Sequence, residues 1–286
     1  RFTPLRENSR WWGPSAKRYW MRFSLRNDAP REEDMLLQLR RSMLVSGLAM
    51  HVRAAGSEWS EQPIGRDSSG MQHRTKFVPL TFSPGQTLDV MMRFQASSPH
   101  LLDPQLFDWP EFLRFESREL SGIWLFNGFM ALAFAAVVFI SRAFRDPAYL
   151  SYGGMVWCTA LTFLSLDGLG EQFLWQGSEY IQLRAWPLWC LAACFFSGFF
   201  CHHFLQLEGS PVRWTRGPRL GACVCGLAAL LVPVLPVWAA CTLVAILAPM
   251  TWIMVLGAAV LRWRGKFPQA GNFTLGILAI GVGGVL

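Results

Sequence analysis

The stretch RYWMRFSLRND, residues 18–28, decides how the front of this chain is read. With a period of two, Tyr19, Met21, Phe23 and Leu25 fall on one side, and Trp20, Arg22, Ser24 and Arg26 on the other. A side-chain period of two with one apolar face is the pattern of a half-buried β-strand. Two further segments repeat it. LAMHVRA (48–54) sets Leu48, Met50 and Val52 against Ala49, His51 and Arg53, and TLDVMMRFQ (87–95) sets Leu88, Val90, Met92 and Phe94 against Asp89, Met91, Arg93 and Gln95. DMLLQLR (34–40) and KFVPLTF (76–82) are weaker, since Pro79 belongs at a sheet edge or a strand end. Turn-prone clusters separate these runs: Asn27 to Pro30, Gly65 to Gly70, and Ser83 to Gly85. Short strands at this spacing, with no clear soluble helix among them, predict an antiparallel sandwich of jelly-roll type over residues 1–119.

Beyond that point the composition changes. Residues 1–119 carry 17 of the 26 basic side chains and 14 of the 19 acidic ones; the rest of the 286-residue chain is mostly apolar. A β-domain followed by an α-helical multi-span membrane domain (120–286) accounts for this better than one large core. Spans are expected near 122–140, 149–166, 185–205, 220–235 and 237–261. The apolar run from Asn272 to Leu286 is shorter than the ~20 residues a crossing needs, so the expectation is of a chain cut within its sixth span. The loops fix the orientation. Arg142, Arg145, Arg213, Arg216, Arg219, Arg262, Arg264 and Lys266 lie on one side, and only Arg184 on the other. Basic loops stay in the cytoplasm, so the β-domain is placed outside it.

The net charge of +7 does not point to nucleic acid, because basic residues are interspersed with acids or sit in short loops. All seven cysteines lie in the apolar half, most simply as small packing residues, so no metal or cofactor is expected. Cys201-His202-His203 is the most metal-like cluster. Adjacent histidines on a helix diverge by ~100°, however, and no ligand four residues away supports them. Asp167 and Glu171 border the second span and are read as loop acids rather than proton carriers. Pro249 interrupts the fifth span and is expected to kink it. Gly281, Gly283 and Gly284 read as helix-packing residues. No motif for a catalytic nucleophile, phosphate loop or metalloprotease occurs.

The candidate ligand-binding residues are Trp20, Arg22, His51, Arg53 and Arg93, all on the polar sides of their strands. An aromatic ring beside guanidinium forks is what a sugar or a carboxylate would meet. The ordinary alternative is a solvated face whose arginines pair with Asp28, Glu32 and Asp89. Periodicity cannot say whether these strands share a sheet.

Several motifs carry a family resemblance in order. KRYWMRFSLRN (17–27) resembles the strand opening the extracellular β-domain of bacterial seven-transmembrane receptors with diverse intracellular signalling modules (7TMR-DISM). SGIWLFNGFMALAF, with Asn127, is similar to that family's first span. RDPAYLSYGG, with Asp146, Tyr149 and Tyr152, resembles the start of its second, and DGLGEQFLW the loop that follows. The resemblance implies a sensor in a bacterial inner membrane, its periplasmic β-domain akin to carbohydrate-binding modules. It further implies a small-molecule, carbohydrate or protein ligand, a cytoplasmic histidine kinase, diguanylate cyclase or phosphatase as output module, and a homodimer as one possible assembly. The competing readings are a transporter or membrane-embedded enzyme with an accessory β-domain, and a β-domain that only docks a partner protein. The near absence of midplane charge in the spans disfavours a transporter.

Overall fold

The computed structural model describes residues 11–12, 17–40, 45–54, 56–64, 74–96, 100–101, 103–176, 178–207, 216–267 and 269–283. The turn expected at 65–70, and Arg213 and Gly284, lie outside the described residues. The chain forms two compact units, Arg1–Phe126 with Leu164–Ala185, and Asn127–Phe163 with Trp186–Leu286.

The first unit is built on strands β1 (Trp11–Trp12), β2 (Arg18–Arg26), β3 (Glu33–Arg40), β4 (Val45–Ala54), β5 (Ser60–Gln62), β6 (Lys76–Phe82), β7 (Thr87–Ala96), β8 (His100–Leu101) and β9 (Asp103–Asp108). One antiparallel sheet has the order β2-β7-β4-β5 and another β6-β3-β9, while β1 pairs with β8. The two larger sheets face each other across a shared core, an arrangement with which the expected jelly roll does not conflict.

Their inner faces make one core: Met21, Met50, Val52, Leu88, Val90, Met92 and Phe94 from the first sheet, and Leu37, Leu39, Val78, Leu80 and Phe82 from the second. The period-two alternation of the sequence thus sorts correctly between core and surface. The two weaker segments are full strands paired along their length, with Pro79 opposite Leu36 on the edge strand β6, where a missing N–H disrupts no ladder. The turn at Asn27 is held by its side chain. Its buried amide donates to the carbonyls of Arg31 (2.9 Å) and Phe82 (3.2 Å) and accepts from the Ala29 N–H (2.9 Å).

Helix α1 (Trp109–Phe144) corrects the expectation of a helix-free front domain: the helix begins well before the apolar stretch expected as the first span near 122–140, which lies within it. Asp108 accepts from the N–H of Glu111 (2.7 Å), so Asp-Trp-Pro-Glu is a helix start with an acid cap, a proline in the first turn and a glutamate at the third position. At 36 residues the helix is about 54 Å long, well beyond the ~20 residues needed to cross a bilayer. Its first turns belong to the β unit: Phe112, fully buried, closes over Leu36, Phe77 and Phe107 on the outer side of the smaller sheet.

The remaining helices are α2 (Pro147–Leu166), α3 (Glu179–Phe204), α4 (Gly217–Leu231), α5 (Val237–Arg264) and α6 (Ala270–Gly283), with a π-helical turn at Gly170–Leu174. Each falls where a span was expected, and α1, α3 and α5 are long and apolar enough to cross a membrane. The α4 helix stops at Leu231 rather than 235, because Pro233 and Pro236 follow. Pro249 sits within α5, which runs on through it. In the second unit, glycines bring helices together. A Cβ on Gly198 of α3 would lie 2.5 Å from the Pro218 carbonyl oxygen of α4, and one on Gly226 would lie 2.7 Å from the Phe195 ring. Cys194 and Cys225 are buried among the small and aliphatic residues of this packing, and Cys201 lies in a second cluster with Leu205, Val255, Ala258 and Ala259. Arg262 of α5 donates to the carbonyls of Leu205 (2.9 Å) and Gln206 (2.7 Å), closing the C-terminus of α3.

Candidate functional site

The register of the larger sheet brings the five candidate residues onto one outer face. Trp20 of β2 stands opposite Arg93 of β7, which in turn stands opposite Ala49 of β4. The next row is Arg22, Met91, His51 and Glu61, and the third is Ser24, Asp89 and Arg53. Residues at equivalent positions on neighbouring strands point the same way, so three adjacent strands with matched register build one surface.

Asp89 organises that surface. One of its carboxylate oxygens accepts from both Arg22 and Arg53, each at 2.8 Å, and the other accepts from the Ser24 hydroxyl at 2.6 Å. The hydrogen bonds from Ser24, Arg53 and Arg22 hold its carboxyl well below the usual carboxylate range. Two of the predicted arginines are therefore fixed by a structural acid, as the ordinary reading of this face anticipated for Asp89. Asp28 instead pairs with Arg26 (2.9 Å). Fixing the guanidiniums does not consume them, since each fork has five N–H donors.

Aromatic rings flank the arginines. The Arg53 guanidinium lies 4.7 Å from the centroid of the Trp59 ring, and that of Arg93 lies 6.0 Å from Trp20. Trp20 remains 47% exposed, unusual for so large an apolar surface on a strand that already has a buried side. Trp59 was not singled out in the sequence. Its signal was its place just before β5, in line with Arg53, which needed the register to be seen.

A second constellation was also missed. Arg74, just before β6, is only 8% exposed. Its Nη2 donates to Glu119 (2.9 Å), its Nε lies 3.7 Å from Glu116, and its Nη1 donates to the Asp167 carbonyl oxygen (3.4 Å). One side chain thus ties the β-domain to the first turns of α1 and to the segment after α2. Burial pushes the Asp167 carboxyl up, Arg74 pulls it down, and Glu119 adds to the upward push. The sequence signal was Phe112, Glu116 and Glu119 at helical spacing, a stripe with an apolar anchor and two acids. Glu179 makes a further tie, accepting from the N–H of Gly47 (2.9 Å), a residue at φ +58° in the irregular part of β4.

The segment after α2 is itself ordered by its motif residues. Gly168 has φ +78°, and Trp175 packs so closely on Gly170 that a Cβ there would lie 2.2 Å from the ring. The Trp175 indole donates to Gln182 (2.7 Å), whose amide donates to the Ser165 carbonyl (2.8 Å). At the other candidate cluster, Cys201 and His202 are buried and His203 stacks on Phe199. The two imidazoles, 5.5 Å apart and inclined at 71°, diverge as helix geometry requires.

Residues 121–286 match the family model described as 7TM diverse intracellular signalling, and residues 1–108 match the one described as 7TMR-DISM extracellular 2. No curated protein matches the chain.

Proposed function

The chain belongs to the 7TM diverse intracellular signalling family, a membrane receptor-type sensor with an extracellular domain, and on that premise we propose that it binds an external ligand on the outer face of β2, β7 and β4. Trp20, Arg22, His51, Arg53 and Arg93 are the ligand-facing residues in this reading. The helices then relay occupancy to a cytoplasmic output module, a histidine kinase or diguanylate cyclase, and the membrane is the bacterial inner membrane.

The observation that carries this reading is the Arg74 junction. A β-domain serving only as a docking platform has no need of a buried cation joining it to two segments of the helical region. A receptor does need such a joint. Ligand binding can shift a two-state equilibrium only through a difference in affinity between the states, and that difference has to be felt at the helices. Arg74 lies at the start of β6, in the sheet facing the ligand-binding one across a shared core, and it meets α1 directly.

Hydrogen exchange on the full chain in lipid nanodiscs, with and without saturating saccharides from a panel of neutral and acidic oligomers, tests it. The expected result is altered exchange in β2 and β7 together with a change in residues 109–126 and 164–185. A ligand that alters exchange in the sheet alone, leaving both helical segments unchanged, would overturn the relay and leave a binding domain on an anchor.

A further inference from the structure

The outer face of the larger sheet has a charge pattern sharp enough to name the class of ligand, and this step rests on the reading of that face as the ligand site. Five guanidiniums lie along it: Arg18, Arg22 and Arg26 at every fourth position of β2, Arg93 on β7 and Arg53 on β4. Three are matched, Arg22 and Arg53 by Asp89 and Arg26 by Asp28. Glu61 sits on β5, three strands from β2 and at the opposite edge of the sheet. Arg18 and Arg93 make no ion pair among the described residues, and both neighbour Trp20.

Their geometry around Trp20 is specific. Arg93 is its direct cross-strand partner, and Arg18 stands two residues before it on the same side of β2. Arg18 and Arg93 are diagonal neighbours, about 7–8 Å apart, within reach of one small anion. The Trp20 ring beside them is half exposed, and on its far side along the strand is Arg22, already held in place by Asp89. An aromatic face takes the apolar C–H side of a sugar ring, and an unmatched guanidinium pair takes a carboxylate in forked geometry. Because β2 is the edge of its sheet, a chain longer than one ring can pass over the site.

We propose that the Trp20 corner binds an anionic saccharide, a sugar ring stacked on Trp20 with its carboxylate held between Arg93 and Arg18. A neutral sugar satisfies the tryptophan and leaves both cations unmatched, whereas an acidic peptide satisfies the cations without needing an exposed flat ring.

The test is calorimetric titration of the full chain in nanodiscs with tetragalacturonate, with its fully methyl-esterified form, and with a tetraglutamate peptide of equal charge. Esterification removes the charge while keeping the rings. The acid should bind at least ten-fold tighter than the ester and the peptide, and more weakly as salt is raised. Arg93→Gln should remove most of that preference, and Trp20→Ala should weaken acid and ester alike, with unchanged melting temperatures. Equal binding of acid and ester, abolished by Trp20→Ala, would overturn the anionic assignment while keeping this face as the ligand site. Equal binding of the peptide would overturn the saccharide, and no binding by any of the three would overturn the proposal as a whole. The sensor reading falls separately, if helical exchange ignores a ligand that does bind.

Discussion

Two charged residues do different work, and the surroundings of each say which. Asp89 is a surface acid with three donors on two oxygens. Its folded carboxyl sits below the ordinary value while its unfolded one does not. The folded state therefore binds fewer protons, and the stabilisation is complete above the unfolded value near 3.9 and eroded as pH falls toward the depressed one. Asp89→Asn should flatten the acid side of the melting-temperature profile between about pH 5 and 3, which thermal scans at stepped pH will read. Arg74 differs because it is buried: removing it strands Glu116, whose side chain is 14% exposed, beside a partly solvated Glu119. Loss of one partner of a buried pair costs about 3 kcal/mol, so Arg74→Met should destabilise strongly in denaturant titrations. Glu119→Gln, with one end of the pair already in water, should cost under about 1 kcal/mol.

Among the elements, legibility follows how local the determining physics is. The strand around RYWMRFSLRND could be read because alternation is a property of neighbours in sequence, whereas the common face of the five candidate residues is set by the register of β2, β7 and β4, which alternation within each strand does not give. The rows across the sheet, Trp59 beside Arg53, and Arg74 between helix and loop depend on pairing over tens of residues, which no local pattern records. The α1 start was legible but overlooked, since Asp108 with Pro110 and Glu111 is a local signal hidden beside a strand. That start is consequential. Phe112→Ala opens a hole among Leu36, Phe77 and Phe107 and should destabilise the first unit by about 3–5 kcal/mol, measured as loss of exchange protection in β3 and β6. The α3–α4 contact is equally exacting. Gly198→Ala drives a methyl against the Pro218 backbone and should lower the melting temperature in micelles, whereas Gly257→Ala on α5 meets nothing within 4 Å and should not.

At the scale of the whole molecule, the distribution of charge decides orientation before any contact does. Among the described residues, Arg142 lies in the last turn of α1 and Arg145 just after it, Arg216 and Arg219 attend the start of α4, and Arg262, Arg264 and Lys266 close α5. Each lies at an end expected to face the cytoplasm, whereas Asp167, Glu171 and Glu179 lie at the opposite ends, where Arg184 is the one basic residue among the described residues from 167 to 184. Basic residues resist translocation and acids matter little, so the end bearing Asp167 and Glu179 goes outside with the β-domain. The structure adds an independent constraint: residues 164–185 belong to the same compact unit as the β-domain, held by Arg74 and by Glu179 on Gly47, so both must lie on one side of the membrane. Two single cysteines test the consequence. Ser57→Cys, exposed in the β-domain, should react in intact cells or spheroplasts with a charged, impermeant maleimide, and Arg145→Cys, exposed after α1, only once the membrane is opened. Of the native cysteines, only Cys223 is exposed, and it lies within α4, where a charged reagent has little access. Labelling of both sites from outside would break the assignment of α1 as a span, and labelling of Arg145→Cys alone would invert the protein, placing its β-domain in the cytoplasm.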